Sequence, residues 1–245
     1  MTDPRDNQLL AALSDDVLER WLPQLEPVEL PLGMVLYESG ARQRHLYFPT
    51  TAIAGKVFVL QSGATTEMAV VGRDGVVGTS LFMGGESAPC RAIVQCAGQA
   101  FRLRADAARQ EFDKMGEAMH LLLRYTQALF TQVAQTAVCN RHHCVNQQLC
   151  RWLLLSLDRS PGRHLAMTQE LIANLLGVRR EGITAAALIL QAAGLISYAR
   201  GHITVLDRHG LERRSCECYD VVRREYERLL PRRERVHAAR RPAFA

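Results

Sequence analysis

The chain has 245 residues, of which 48% are hydrophobic and 22% charged, and its mean hydropathy is −0.08. This composition excludes a wholly disordered chain and a membrane protein with several spans. The polar start of the chain lacks the apolar segment of a secretory signal. We therefore expect a cytoplasmic protein of one or two domains that does not bind a membrane.

The positive charge is concentrated in the C-terminal part of the chain. Residues 1–140 contain 12 Lys and Arg against 15 Asp and Glu, whereas residues 141–245 contain 18 Arg against 10 Asp and Glu. The second part thus carries a net charge of +8 within a total of +5. A basic domain beside a mildly acidic one indicates a polyanionic partner such as nucleic acid, although a solvated arginine-rich surface gives the same count.

The first elements in the chain are predicted to be helical and then β-stranded. Apolar residues at helical spacing occupy 7–25, and prolines at 23, 27 and 31 end this pattern. Ser14 followed by two aspartates predicts a helix start inside this segment. From residue 28 to residue 103, short apolar runs separated by turn residues predict an antiparallel sandwich or barrel. The clearest strand candidates are 57–60, 67–71, 92–96 and 100–103.

A long helix is predicted to follow the strands. A short helix is expected over 105–115, and residues 117–140 contain no proline or glycine. Apolar and small side chains in this second stretch alternate at spacings of four and three, which is typical of a dimerisation helix. A helix packed on its own sheet is the alternative. The predicted interface residues are Met119, Leu123, Thr126, Phe130, Val133 and Ala137.

Seven cysteines in a chain without a secretory signal argue against a disulfide framework. The candidate metal ligands at the predicted hinge are Cys139, His142, His143 and Cys144. Their spacing matches no common zinc signature, so we favour a polar hinge with packed cysteines and predict no metal site. Whether this hinge binds a metal or is redox-active stays open. Cys216 and Cys218 are weaker candidates still, because side chains two apart on a helix diverge.

The residues from 168 to 206 predict a winged helix-turn-helix. Thr168 can cap a first helix, and Gly177 allows the tight turn that joins it to a second helix starting near Arg179. Two short strands with a glycine-containing turn follow at 195–206 and predict a wing. A last helix is expected over 211–230, and an ordinary helical hairpin is the alternative to the whole unit.

The outer face of the second helix has the residue types that read DNA. Arg180 can hold guanine with two hydrogen bonds, and Glu181 can accept one from cytosine. Helix N-termini and exposed arginines contact phosphate. The predicted DNA-binding residues are Thr168, Arg179, Arg180, Glu181, Thr184, Arg200 and His202.

The order of these parts resembles the Crp/Fnr family of bacterial transcription regulators, most closely in the Gly-x-x-Arg-Glu run at 177–181. The resemblance implies an α+β fold with an N-terminal antiparallel β jelly roll, a long dimerisation helix and a C-terminal winged helix-turn-helix. The implied domains are a β-roll sensor domain (1–113), the dimerisation helix (114–140), the winged DNA-binding domain (141–230) and a basic tail (231–245). The family often has a second arginine further along the recognition helix, where this chain has Ala185.

The family's jelly roll often binds a cyclic nucleotide through a Gly-Glu pair followed by an Arg-Ser pair. In this chain Gly78 and Arg91 match, Thr79 stands where the acid is expected, and Glu86 can replace it only if the intervening loop folds back. These four residues are the predicted effector site. The cassette is degenerate, which argues against a cyclic nucleotide, and we assign no cofactor. The iron–sulfur cysteines of some relatives are absent, since no cysteine precedes Cys90.

The sequence therefore predicts a homodimer that reads a pseudo-palindromic site in double-stranded DNA and is controlled through its N-terminal domain. RNA polymerase is a further expected partner if the protein activates transcription. The alternative is a ligand, redox or metal sensor that acts through protein partners and whose helix-turn-helix binds DNA weakly or no longer binds it. We predict that the protein is not an enzyme, because no catalytic triad run, phosphate loop or metalloprotease motif is found.

Overall fold

The computed structural model describes residues 3–230. The chain begins with two short helices, α1 (Gln8–Ala12) and α2 (Asp15–Trp21). The buried Asn7 side chain caps α1 by accepting from the backbone N–H groups of its first turn, and its amide donates to Pro49 O and Gly75 O at 2.9 Å each. Leu13 has extended backbone angles that end α1, and α2 begins after Ser14, where the sequence predicts a helix start.

Seven strands then form two antiparallel sheets that face each other. The strands are β1 (Glu26–Leu30), β2 (Val35–Tyr37), β3 (His45–Pro49), β4 (Ile53–Val59), β5 (Thr65–Val71), β6 (Arg91–Cys96) and β7 (Gly98–Arg104). One sheet has the order β1-β7-β3 and the other the order β2-β6-β4-β5. Their inner faces bury an apolar core that includes Leu30, Phe48, Val94 and Phe101. The predicted antiparallel β-rich N-terminal fold is confirmed.

Helices dominate the second half of the described chain. The helices are α3 (Ala105–Phe112), α4 (Glu117–His142), α5 (Val145–Asp158), α6 (Gln169–Leu176), α7 (Arg180–Ala192), α8 (Arg208–Arg214) and α9 (Glu217–Leu229). A small antiparallel sheet is formed by β8 (His164–Ala166), β9 (Ile196–Ala199) and β10 (His202–Val205), in the order β8-β10-β9. In residues 3–230, no helix is long and apolar enough to cross a membrane.

Two sequence predictions need correction in this half. The single helix expected over 211–230 is two helices, because Ser215 and Cys216 both have extended backbone angles between α8 and α9. The predicted two-stranded wing has a third strand, β8, which pairs with β10. Its three residues are too few for a periodic pattern. The predicted basic tail, 231–245, lies outside the described residues.

The helical half packs on the outer face of the β4–β5–β6 sheet. Ile53, Val57 and Val70 point away from the jelly-roll core and belong to the same apolar cluster as Trp152 and Leu153 of α5. The Trp152 indole N–H donates to the fully buried carboxylate of Glu67 on β5 at 3.0 Å. The two halves therefore share a core with a polar centre.

That polar centre predicts a measurable pH dependence. Burial raises the pKa of Glu67 above its ordinary value of 4.5, because the hydrogen bonds from Gln95 and Trp152 do not offset desolvation. The folded state therefore binds the Glu67 proton more tightly than the unfolded state does. As pH rises from about 4.5 through the raised pKa, this contribution to the free energy of unfolding is lost. Glu67→Gln is expected to remove this loss of folding stability, because the amide does not ionise; raising a pKa by one costs about 1.4 kcal/mol at high pH.

Urea unfolding at pH 5 and pH 8 measures this effect. We expect the free energy of unfolding of Glu67→Gln to exceed that of the wild type at pH 8, and the difference to shrink at pH 5. The exposed Glu29 provides the matched control, since Glu29→Gln removes a carboxylate that faces water. A difference that grows toward pH 5 would contradict the assigned direction.

Candidate DNA-binding surface and sensor site

The first helix of the predicted DNA-binding unit is capped as the sequence indicates. Thr168 is the N-cap of α6, and its hydroxyl accepts from the backbone N–H of Leu171 at 3.2 Å. Met167 and Ile172 are both buried in the same apolar cluster, as a hydrophobic staple requires. Gly177 ends α6 with φ = +67°, a left-handed conformation that glycine adopts without strain. The turn that sets the angle between α6 and α7 therefore follows directly from residue types.

The second helix presents an exposed basic N-terminus. Its inner face is buried through Ile183, Ala187 and Leu190. On the opposite side, Arg179 is the N-cap, and Arg180 and Glu181 begin the first turn. All three side chains are exposed, and none forms an ion pair with the described residues. Their charged groups are thus free to meet a ligand outside the chain.

Thr184 has a different environment from that of its predicted partners. Its hydroxyl lies 2.7 Å from Gln169 Oε1 and 3.1 Å from Arg180 O, and the residue is half-buried. The hydroxyl bridges α6 and α7, which fits a role in holding the two helices rather than in reading bases. Gln169 is not among the predicted site residues, although a polar residue directly after an N-cap is a weak signal for such a contact.

The wing is tied to the start of α6. Arg200 and Gly201 form its two-residue turn, with φ values of +51° and +79°. The backbone N–H of Met167 donates to Gly201 O at 2.7 Å, and the Tyr198 hydroxyl donates to Met167 O at 2.8 Å. Burial raises the pKa of Tyr198 to about 12, so this donor stays protonated at neutral pH. Arg200 and His202 are exposed at the tip, beside the cap residue Thr168.

The predicted dimer surface is open on the isolated chain. Leu123 and Phe130 on α4 are 45% and 73% exposed, and Ala137 is also exposed. Met119, Thr126 and Val133 are half-buried at the edge of the same stripe. The opposite face of α4 packs on α9 and on the jelly roll. An exposed apolar stripe of this length is a feature of interaction surfaces.

The predicted effector residues are engaged within the chain. The loop after Gly78 does fold back, since the Glu86 N–H donates to Ser80 O at 3.2 Å. The Glu86 carboxylate binds Arg42 at 2.9 Å and Arg109 at 2.7 Å. Arg91 instead binds Glu38 at 2.8 Å. The two charges therefore belong to separate ion pairs and do not form one clamp.

The other two predicted effector residues, Gly78 and Thr79, are explained by the conformation of the backbone. Gly78 has φ = +112°, and a Cβ there would lie 2.9 Å from His45 O, so the chain needs glycine at this point. Thr79 is buried in the short 3₁₀ turn Thr79–Leu81 that follows. These contacts account for both residues structurally and provide no ligand group.

Comparisons with known proteins agree with this geometry. Residues 147–214 match the family model of the Crp-like helix-turn-helix domain. FixK2 from Bradyrhizobium japonicum superposes with a TM-score of 0.66 at 15% identity, covering 78% of this chain and 98% of that one. A transcriptional regulator of the CRP family from Thermus thermophilus gives 0.62 at 20% identity, covering 77% and 96%.

A putative Crp/Fnr-family regulator from Eubacterium rectale gives a TM-score of 0.61 at 19% identity, covering 85% of this chain and 98% of that one. No curated protein sequence matches the chain. At these identities the solved structures establish the fold, and the domain match establishes the helix-turn-helix. The chain therefore carries a Crp-like helix-turn-helix domain on the fold of the Crp/Fnr family of transcription regulators.

Proposed function

We propose that the protein is a sequence-specific DNA-binding regulator that acts as a homodimer. Each subunit places α7 in a major groove, and Arg180 and Glu181 contact base edges there. The DNA phosphates are contacted by Arg179, Arg200, His202 and the start of α6 at Thr168. The two α4 helices pair along the stripe centred on Phe130.

One observation carries this proposal. The first turn of α7 exposes two arginines and a glutamate that have no ion-pair partner among the described residues. Several other arginines of the helical half pair with carboxylates, as Arg208 does with Asp158 and Arg223 with Asp220, whereas Arg224 on α9 does not within residues 3–230. Here the unpaired guanidinium groups lie at the start of a helix and next to the tip of the wing. In this position they can bind both the phosphate backbone and the base edges of DNA.

Control through the N-terminal domain is supported by contacts between β5 and the helix-turn-helix. The Thr65 hydroxyl donates to Asn174 O of α6 at 3.5 Å. A Cβ at Gly177 would lie 3.1 Å from the Thr66 hydroxyl. A shift of the β4–β5 hairpin would therefore move the turn that sets the position of α7. The predicted effector residues at 78, 79, 86 and 91 are not part of this proposal, because Glu86 and Arg91 form ion pairs within the chain and residues 78 and 79 form a tight, buried turn.

Selection of bound duplexes from a random library tests the proposal, with the full chain, no added ligand and moderate salt. We expect enrichment of a two-fold-symmetric site whose half-sites lie about one helical turn apart. Enrichment of a single asymmetric half-site would contradict the dimer. Binding without any preference would favour the alternative of a weak DNA head that acts through protein partners.

Two substitutions separate base reading from phosphate contact. Arg180→Ala is expected to cost about 1–3 kcal/mol on the selected site and to relax preference at one base pair of each half-site. Thr168→Asp keeps the helix cap but brings a negative charge close to a DNA phosphate. It should therefore lower the affinity for all DNA sequences by a similar factor. Binding to a panel of single-base variants of the site measures both effects.

Arg224→Ala is the matched control, because Arg224 is exposed on α9 and forms no ion pair with the described residues. It removes the same charge as Arg180→Ala at a place outside the proposed interface. An equal loss of base preference in Arg180→Ala and Thr168→Asp would overturn the assignment of their roles.

A further inference from the structure

Four metal-ligating side chains from two distant parts of the sequence meet where the long helix ends. Their potential ligand atoms all lie within 4.8 Å of one another. This Cys3His cluster consists of Cys139, His143, Cys216 and Cys218. It differs from the hinge candidates of the sequence analysis, because His142 and Cys144 are exposed and lie outside it.

Local backbone geometry explains why these residues converge. Cys139 lies in the last turn of α4, and the N–H of His143, the residue that caps this helix, donates to Cys139 O at 3.0 Å. Cys216 is the N-cap of α9 and has an extended backbone with φ = −89° and ψ = 165°. The expectation that Cys216 and Cys218 diverge holds only on a continuous helix. The break before α9 lets both face the end of α4.

The spacing of the ligand atoms fits a tetrahedral metal ion. The Sγ atoms of Cys139 and Cys216 are 3.6 Å apart, and the Sγ of Cys218 is 3.6 Å from Nδ1 of His143. A zinc ion with Zn–S bonds of about 2.3 Å separates its ligands by about 3.8 Å along each tetrahedral edge. A disulfide requires about 2.05 Å between its sulfurs. These two separations are close to those of metal co-ligands, and no pair of ligand atoms in the cluster is more than 4.8 Å apart.

Ordinary core packing does not account for the cluster. Cys90 and Cys150 are buried among aliphatic and aromatic side chains of the two main cores. Cys139, Cys216 and Cys218 instead form a buried cluster of their own that contains only cysteines. Three thiols that face one another rather than apolar side chains gain little from burial, whereas a soft metal ion would use all three.

The surroundings of the cluster supply what a zinc site needs. Nε2 of His143 lies 3.3 Å from the Glu217 carboxylate, so this carboxylate can orient the imidazole while Nδ1 faces the cluster. The Gln148 amide donates to His143 O at 2.8 Å and holds the backbone there. The buried guanidinium of Arg151 interacts electrostatically with all three thiols. Three thiolates, a neutral imidazole and Zn²⁺ carry a net charge of −1, which Arg151 balances.

We propose that the Cys3His cluster is a structural zinc site that fastens the start of α9 to the C-terminal end of α4. Binding releases one proton from each thiol and leaves every oxidation state unchanged. Because α8 and α9 directly follow the wing, the ion would connect the end of the winged domain to the helix that carries the proposed dimer surface. This site is independent of whether the protein binds DNA.

Metal analysis of the full chain tests the proposal. Protein purified under reducing conditions and reconstituted with Zn²⁺ is expected to hold one ion per chain after desalting. Replacement by Co²⁺ should give the visible absorption of tetrahedral cobalt together with thiolate-to-metal charge transfer. Cys218→Ser and His143→Gln should each lower the affinity for Zn²⁺ at least tenfold, as loss of a ligand costs no less than loss of its supporting group.

The exposed hinge residues outside the cluster provide matched controls. Cys144→Ser and His142→Gln change the same residue types in the same segment and should keep one ion per chain with the wild-type Co²⁺ spectrum. Should the cluster variants fail to fold, the wild-type cobalt spectrum alone decides between tetrahedral thiolate ligation and none. A substoichiometric metal content in reconstituted wild type, equal losses in the controls, or a Cys139–Cys216 disulfide in anaerobically purified protein would each overturn the proposal.

Discussion

Phe130→Asp is expected to convert the dimer into a monomer while leaving the subunit folded. Phe130 is 73% exposed on α4, so a polar group in its place meets water in the isolated chain and costs little stability. In a pair of α4 helices the same position lies at the centre of the stripe. Burying a phenylalanine contributes about 1.5–3 kcal/mol, and a two-fold-symmetric dimer buries Phe130 from both subunits. The carboxylates would in addition face each other in an apolar interface.

Sedimentation measures this change. We expect the wild type to sediment as a species of twice the chain mass of 27.4 kDa, and Phe130→Asp as a single chain with an unchanged circular dichroism spectrum. Affinity for the two-fold-symmetric DNA site should fall by about 100-fold or more, because the second half-site no longer binds as part of the same molecule. Binding to an isolated half-site should remain.

His120→Asp is the control for an added carboxylate on α4. His120 is exposed on this helix about a quarter turn away from the predicted interface. This variant should stay dimeric. A dimer that survives Phe130→Asp, or that is lost equally in His120→Asp, would show that the α4 stripe is not the interface.

Asp74→Ala is expected to destabilise the fold by about 3–5 kcal/mol, because it leaves a buried arginine without its counter-charge. Arg159 at the end of α5 has a side chain that is only 2% exposed, and its guanidinium lies 3.1 Å from the Asp74 carboxylate. It also donates to Gln132 Oε1 at 2.6 Å and lies over the Tyr226 ring, 4.8 Å from the centroid. One cation thus connects the loop after β5 with α4, α5 and α9.

A double-mutant cycle checks that the loss arises from the uncompensated charge. Replacing both members of the pair, Asp74→Ala with Arg159→Met, removes the buried charge altogether and should cost less than Asp74→Ala alone. Urea unfolding of the four proteins gives the required free energies. Additive losses, or a loss below about 1 kcal/mol in Asp74→Ala, would show that water reaches the guanidinium and solvates it.

The DNA-binding unit was predictable from sequence because its signals are local. The cap at Thr168, the turn at Gly177 and the buried face through Ile183 each depend on residues within a few positions of one another. The exposure of Arg180 follows from helical periodicity once that face is known. The stripe on α4 was predictable for the same reason, since its spacing repeats over several turns.

Pairing between distant residues was not predictable in this way. Glu86 and Arg91 were expected to act together, but Arg109 and Glu38, both distant in sequence, bind them separately. Thr184 was expected to face a base, and Gln169 on the preceding helix binds it instead. In each case a partner brought by the tertiary fold satisfies a polar group that the local pattern left free.

The sequence by itself determined the order of the elements, the antiparallel β-rich domain, the long helix and the winged helix-turn-helix, because periodicity, caps and turn residues act over short distances. The tertiary structure alone decided that the winged half shares a core with the β4–β5–β6 sheet and that Arg159 bridges four elements. It also decided that Cys139 and His143 meet Cys216 and Cys218 across more than 70 residues of sequence. The physical reason is that burial and ligand geometry depend on distances in space, which spacing along the chain does not specify.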